Sequence, residues 1–289
     1  MASGLEWLAG ARPRTLPASV APVLAGTGAA AQLGAASPGR FALAGVVALA
    51  LQIGVNFAND YSDGVRGTDV GRVGPMRLVA SGAARPGHVR AAAFGAFALA
   101  GLAGLELVAL CGHWWLIVLG AAAILAAWFY TGGKHPYGYR GFGEVGVFLF
   151  FGLLATLGTT YTQAGRLSWP AGAAAVGMGS MACGLLMANN LRDIPTDALT
   201  GKRTLAVRLG DHRARVAYTW FICVPIVLGI ACAFTAPWSL LVVLLIAPTA
   251  VLAVAVRAGA RGIALVPVLA GTGMLQLGYG VLLGLGLAL

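Results

Sequence analysis

The sequence predicts an all-α membrane protein: one polytopic domain over residues 1–289, a bundle of nine transmembrane helices with two long cytoplasmic cap loops. Three observations carry that expectation. Residues are 59% hydrophobic and only 10% charged, against about 25% charged in an ordinary soluble domain, so polar surface is too scarce to cover a water-soluble globule. Apolar runs recur at about 20 residues, the length at which a helix rises about 30 Å and crosses the hydrocarbon core. Lys and Arg collect in alternate connections, as they do in cytoplasmic loops.

The runs follow one another with recognisable punctuation. Nothing before Arg14 has the apolar core of a cleavable signal, so the first run, about 15–33, is expected to direct insertion itself. The second, about 41–61, ends in NFANDYSD, Asn56 to Asp63, and opens a long loop over about 62–88. Runs at about 89–110 and 114–131 come next. The latter ends in Trp128 to Tyr130, which reads as an aromatic interface anchor, or alternatively as ring faces shielding a cationic intermediate. A fifth run, about 143–163, is entered through GFGEVG, Gly141 to Gly146. Those letters match the dinucleotide fingerprint, yet no strand precedes them and a span follows, so they read as a tight loop. The sixth, about 170–190, ends in NNLRDIPTD, Asn189 to Asp197, where Pro195 is expected to bend the chain as it leaves the membrane. A second long loop, about 191–215, precedes runs at about 216–235, 237–256 and 262–287. Abundant Gly and Ala suit helices that pack closely in lipid.

With the N-terminus inside, every one of the 19 Lys and Arg residues except Arg40 and Arg166 falls on the cytoplasmic side. The expected location is therefore the cytoplasmic membrane of a prokaryote, with the N-terminus and both motif loops cytoplasmic. The net charge of +10 then reports topology and anion binding, and no basic soluble domain exists to bind nucleic acid. Cys111, Cys183, Cys223 and Cys232 lie in or beside apolar runs without CxxC spacing and read as packing residues. The four histidines form no HExxH and no triad order, which leaves zinc hydrolysis and serine-type catalysis without support.

The chemistry is concentrated in the two polar run ends. Of nine acidic residues, Asp60, Asp63, Asp69, Asp193 and Asp197 fall in or just after them. A carboxylate at a membrane interface is costly to desolvate and is usually paired or functional. Asp60 and Asp63, and Asp193 and Asp197, would each share one face of a helical turn, and two facing pairs repel unless a counterion joins them. The carboxamides Asn56, Asn59 and Asn189 add hard oxygen donors. Such a set suits Mg²⁺, held by one or two carboxylates together with substrate phosphates, and so points to a diphosphate. Arg66, Arg72 and Arg77 after the first motif, and Arg192, Lys202 and Arg203 around the second, are the candidate phosphate-binding cations; the alternative for each is a topology role.

Both aspartate motifs, with GPMRLVASG at 74–82, YTGGKHPYGYRGFGEV at 130–145 and NNLRDIPTDALTGKRTLAVRLG at 189–210, resemble the intramembrane aromatic prenyltransferases of the UbiA superfamily. Within it they are most similar to the 1,4-dihydroxy-2-naphthoate polyprenyltransferases of menaquinone synthesis. That resemblance implies a Mg²⁺-dependent enzyme of the membrane. In such an enzyme a polyprenyl diphosphate ionises at its allylic carbon and the naphthoate attacks with loss of carbon dioxide, giving a demethylmenaquinone. Carried over by position, it implies metal binding by Asn56, Asn59, Asp60, Asp63, Asn189, Asp193 and Asp197. Tyr130, Lys134, Lys202 and Arg203 would face the diphosphate, and Lys134 would join the four aspartates in catalysis. Asp60 and Asp63 lie three apart where the wider superfamily often has four, which leaves open whether Asp69 supplies a further contact. An ion-coupled transporter would instead hold its charges near the bilayer midplane. A phosphatidyl-group transferase would carry DGxxAR, whereas Asp63-Gly64 continues as Val-Arg-Gly-Thr.

Overall fold

A computed structural model describes residues 2–68 and 76–289. Asp69 and Arg72, both considered above, lie outside the described residues. Helices account for every apolar run, and among the described residues there is no strand. An N-terminal helix α1 (Gly4–Ala11) precedes α2 (Leu16–Gln32). Then come α3 (Pro38–Arg66), α4 (Pro86–Cys111), α5 (Leu116–Phe129), α6 (Gly143–Ala164) and α7 (Trp169–Leu199). The chain ends in α8 (Leu205–Phe234), α9 (Pro237–Arg257) and α10 (Gly262–Ala288).

Seven of these are long and apolar enough to cross a membrane. The two expected spans that fall short are α2, with 17 residues, and α5, with 14, which rise about 26 and 21 Å. Helix starts follow local chemistry. Ser37, Ser168 and Thr204 cap α3, α7 and α8 by accepting backbone N–H groups of Arg40, Ala171 and Val207, and Pro38, Pro86 and Pro170 occupy first-turn positions where no donor is missed.

Two expectations about the polar segments are corrected. Pro195 does not take Ile194 out of the helix: α7 runs on without a break to Leu199, and Thr196 Oγ1 donates to Asp193 O at 3.0 Å across that turn. The segment over 191–215 is accordingly no long loop, since α8 begins at Leu205 and breaks once, at Gly210, where φ is 74°. GFGEVG behaves as expected, with Gly141 at φ 77° turning the chain into α6.

Helix α7 is the buried axis, lined by Ala173, Ala174, Ala175, Gly177, Gly179 and Ser180. On one side α2 meets α10 backbone to backbone: a Cβ on Gly28 would lie 2.1 Å from Gly284 O, a contact only glycine permits. On the other side α6 meets α7 through Gly152, where a Cβ would fall 2.3 Å from Gly179 Cα. A seven-residue π-helical stretch, Phe148–Leu154, interrupts α6 here. The close packing on these two sides leaves a gap in front of α7, bounded by α2, α3, α5 and α6, and that gap is the cavity.

Candidate active site

The cavity measures about 1190 Å³ and has two chemically distinct ends. Its long wall is apolar, formed by residues such as Val47, Leu51, Leu105, Ile124, Phe150 and Leu154. Its other end gathers Arg12, Arg14, Arg77, Arg192 and Lys202 around Asp63, Asp193 and Asp197. Five cations against three carboxylates leave an excess of positive charge, in a recess where water is restricted and fields are poorly screened. This end is therefore built for an anion, and the apolar wall for the tail attached to it.

Asp63, at the end of α3, is the hub. It is buried, accepts the phenolic proton of Tyr139, and lies 3.6 Å from the Arg77 guanidinium and 3.7 Å from Lys202 Nζ. Lys202 Nζ also sits 4.5 Å from the centroid of the Tyr139 ring. Asn59, one turn earlier, accepts from Thr131 Oγ1 at 2.8 Å, and Asn56 Nδ2 donates to Ala11 O at 2.9 Å and Thr15 Oγ1 at 3.1 Å. Through Asn56 the turn carrying Arg12 and Thr15 is pinned against α3. Arg12 itself has φ 55°, the one described non-glycine residue in the left-handed region, a conformation that tertiary contacts have to hold.

On α7, Arg192 clasps Asp193 with two 2.7 Å contacts and reaches Asn189 Oδ1 at 2.9 Å. Asp197 lines the cavity one turn further out. The loop between α5 and α6 supplies three tyrosines. Burial pushes the Tyr137 phenol up to about 12; burial and then the charge of Glu144 push Tyr130 higher, as burial and then Asp63 do for Tyr139. All three hydroxyls are proton donors over the physiological range.

Other expected site residues are placed elsewhere. Asp60 does not line the cavity: its two oxygens accept the backbone N–H groups of Leu78, at 2.8 Å, and Val79, at 3.0 Å, so it fixes the turn that presents Arg77. The exposed Arg66 donates to the carbonyls of Thr131 and Gly133, tying α3 to the tyrosine loop. Lys134 and Arg203 are exposed and outside the cavity lining; Arg203 contributes its backbone N–H to Tyr139 O at 2.8 Å. Arg12, Tyr137, Tyr139, Thr131 and Asn190 line the cavity without having been singled out from the sequence. Thr131, Tyr137 and Tyr139 lie in YTGGKHPYGY and Asn190 in NNLRDIPTD, whereas Arg12 stands in neither motif; the bond from Tyr139 to Asp63 spans 76 residues.

The chain matches the UbiA prenyltransferase family over residues 19–263. It belongs to that family. Among its relatives it is 55% identical over 278 residues to the 1,4-dihydroxy-2-naphthoate octaprenyltransferase of Mycobacterium tuberculosis, covering 96% of this chain and 94% of that one. It is 40% identical to the Escherichia coli enzyme of the same name, over 72% of this chain and 70% of that one. A solved UbiA homologue from Archaeoglobus fulgidus, bound to DMAPP and Mg²⁺, superposes with a TM-score of 0.71 at 16% identity over 98% of both chains. As a UbiA-family protein whose described chain holds seven apolar helices of spanning length, it is an integral membrane protein.

The side chains of this UbiA-family member bear on the metal question. Among the described residues no three carboxylate, imidazole or thiol groups converge on one point. Asp63, Asp193, Asp197, Asn59 and Asn189 nevertheless offer hard oxygens to one recess. Mg²⁺ rarely takes an all-protein cage and instead shares carboxylates with substrate phosphates, so this donor set fits a metal that arrives with its substrate.

Proposed function

We propose that the protein transfers a polyprenyl group from polyprenyl diphosphate to 1,4-dihydroxy-2-naphthoate, releasing diphosphate and CO₂ and forming demethylmenaquinone in its quinol form. The observation that carries this reading is the two-ended cavity, cationic where Asp63, Asp193 and Asp197 meet and apolar along α3, α5 and α6. The names of relatives at 40 and 55% identity support the same substrates.

The tail lies along the apolar wall and the diphosphate meets Arg77, Lys202, Arg192 and Arg12. As the allylic C–O bond breaks, its electron pair moves onto the diphosphate, and these cations, with donors such as the phenols, stabilise charge that grows in the transition state. Mg²⁺, held by Asp63, Asp193, Asp197 and the neighbouring Asn59 and Asn189 oxygens, would supply Lewis-acid neutralisation of the leaving group. Closely packed apolar walls keep water from the allylic cation until the naphthoate ring forms the new C–C bond and expels CO₂.

Purified protein in detergent is expected to prenylate the naphthoate from a panel of aromatic acceptors, and to stop in EDTA until Mg²⁺ is restored. Prenylation of 4-hydroxybenzoate in its place would move the protein to another acceptor class, and full turnover in EDTA would remove the metal from the reaction.

The proposed orientation has nine passes, with α2 and α5 as short crossings and the N-terminus and diphosphate end in the cytoplasm, in keeping with the distribution of basic residues. In a background without the four native cysteines, Thr200→Cys should be labelled from the cytoplasmic face and Arg166→Cys from the opposite face. Labelling of both from one side would require a different number of passes.

A further inference from the structure

A carboxyl group lies just behind the cavity wall with part of its hydrogen-bonding capacity unused. Glu144, in the first turn of α6, is 4% exposed. Its Oε1 accepts from Asn190 Nδ2 at 3.1 Å, while its buried Oε2 has no hydrogen-bond partner. Asn190 lines the cavity and Glu144 does not. A carboxamide has a donor side and an acceptor side, and a carboxylate oxygen can only fix the donor side. With one Nδ2 hydrogen held by Glu144 the orientation of the amide is set, and the acceptor that Asn190 has to offer the cavity is its carbonyl oxygen.

An acceptor oxygen is wrong for a diphosphate, whose own oxygens it repels, and right for a hydroxyl. Its position fits the second substrate. Residues 190, 193 and 197 share a face of α7, which puts Asn190 about 4.5 Å inward from Asp193, on the hydrocarbon side of the charged cluster. Beside it, Tyr130 and Tyr137 meet edge to face, with ring centroids 5.4 Å apart, and both line the cavity. Glycines let them press against α6: a Cβ on Gly146 would lie 2.8 Å from Tyr137 Cε2, and one on Gly143 3.4 Å from Tyr130 Oη. The corner thus combines ring walls with a single oriented acceptor.

We propose that Asn190 Oδ1, oriented by Glu144, accepts a hydroxyl hydrogen of the aromatic acceptor, whose ring lies against Tyr130 and Tyr137. The assignment rests on the prenyl-transfer reading and names the residue that recognises the naphthoate. Glu144 is a positioning residue in it. A site built to bond a hydroxyl discriminates sharply against an analogue lacking that hydrogen, because its buried acceptor is then left unpaired.

The test uses purified full-length protein with Mg²⁺, octaprenyl diphosphate, the naphthoate and its two mono-O-methyl ethers. Asn190→Ala and Glu144→Ala should each raise the KM for naphthoate about five- to fiftyfold, with the KM for octaprenyl diphosphate within about twofold of wild type. The double variant should be no worse than either single one. Glu144→Gln, which keeps a carbonyl oxygen for Asn190 Nδ2, should recover part of the loss. One ether should inhibit wild type far more weakly than the other, and Asn190→Ala should erase that difference. An unchanged naphthoate KM in both alanine variants, or an equal rise in both KM values, overturns the subsite. Should those variants not purify as folded protein, equal inhibition of wild type by both ethers overturns it instead. Wild type that fails to prenylate the naphthoate at all refutes the prenyl-transfer reading itself, an outcome distinct from loss of the subsite alone.

Discussion

Asp63→Asn is expected to lower kcat for prenyl transfer by about a hundred- to a thousandfold, whereas Asp60→Asn should act chiefly on stability. Asp63 is the carboxylate that Arg77, Lys202 and Tyr139 all address, so its charge sets the geometry of two cations as well as offering oxygens to a shared Mg²⁺. Replacing it with an amide leaves buried cations without their partner, a change that typically costs about 3–5 kcal/mol, and removes an anionic ligand from the metal. Asp60 is absent from the cavity lining and holds two backbone amides. An amide there keeps one acceptor and turns an N–H₂ toward the other donor, a loss of about 1–3 kcal/mol concentrated in the turn bearing Arg77. The two variants separate by titration with Mg²⁺: Asp63→Asn should shift the concentration needed for half-maximal rate, and Asp60→Asn should leave it in place while lowering the thermal midpoint. The same Mg²⁺ shift in both variants would return Asp60 to the metal site.

The contrast between these two aspartates shows where sequence reading stops. A polar cluster ending an apolar run is visible without coordinates, because burying it has no purpose unless something binds there; both motifs, and the helical class, were legible for that reason. Which member of a cluster faces the ligand depends on rotation about the helix axis. Asn56, Asn59 and Asp63 are spaced by three, four and seven residues and fall within about 60° of one another, on the cavity face. Asp60 sits on the flank of that face, far enough round to meet Leu78 instead. The local preference of Pro195 argues against a helical Ile194, yet the helix carrying Asp197 continues through both, packed and bonded on its neighbours. Arg12 looked like one more topology charge, and only its left-handed backbone and the bond from Asn56 to Ala11 O bring it into the cavity. Such placements arise from contacts between segments distant in sequence, where no periodicity reports them.

Lys202 and Arg203 are adjacent cations whose side chains have different surroundings, and their alanine variants should differ accordingly. Lys202 is nearly buried, 3.7 Å from Asp63 and over the Tyr139 ring, inside the recess proposed for the diphosphate. Arg203 is exposed and is anchored through its main chain, donating to Tyr139 O and accepting from Arg208 Nε at 3.2 Å. Removing a charge-assisted contact to a growing negative charge costs about 1.5–3 kcal/mol, or about ten- to 150-fold in rate. Removing a solvent-exposed charge, whose field is screened within about 10 Å, costs little. Lys202→Ala is therefore expected to lower kcat/KM for polyprenyl diphosphate by about ten- to 150-fold, with little change in the KM for the naphthoate, while Arg203→Ala stays within about threefold of wild type. Raising the ionic strength should shrink the small Arg203 effect and leave the Lys202 effect standing, because only the latter charge is shielded from salt. Equal losses in the two variants, at matched amounts of folded protein, would show that these cations act through the overall field and would remove Lys202 from the diphosphate site.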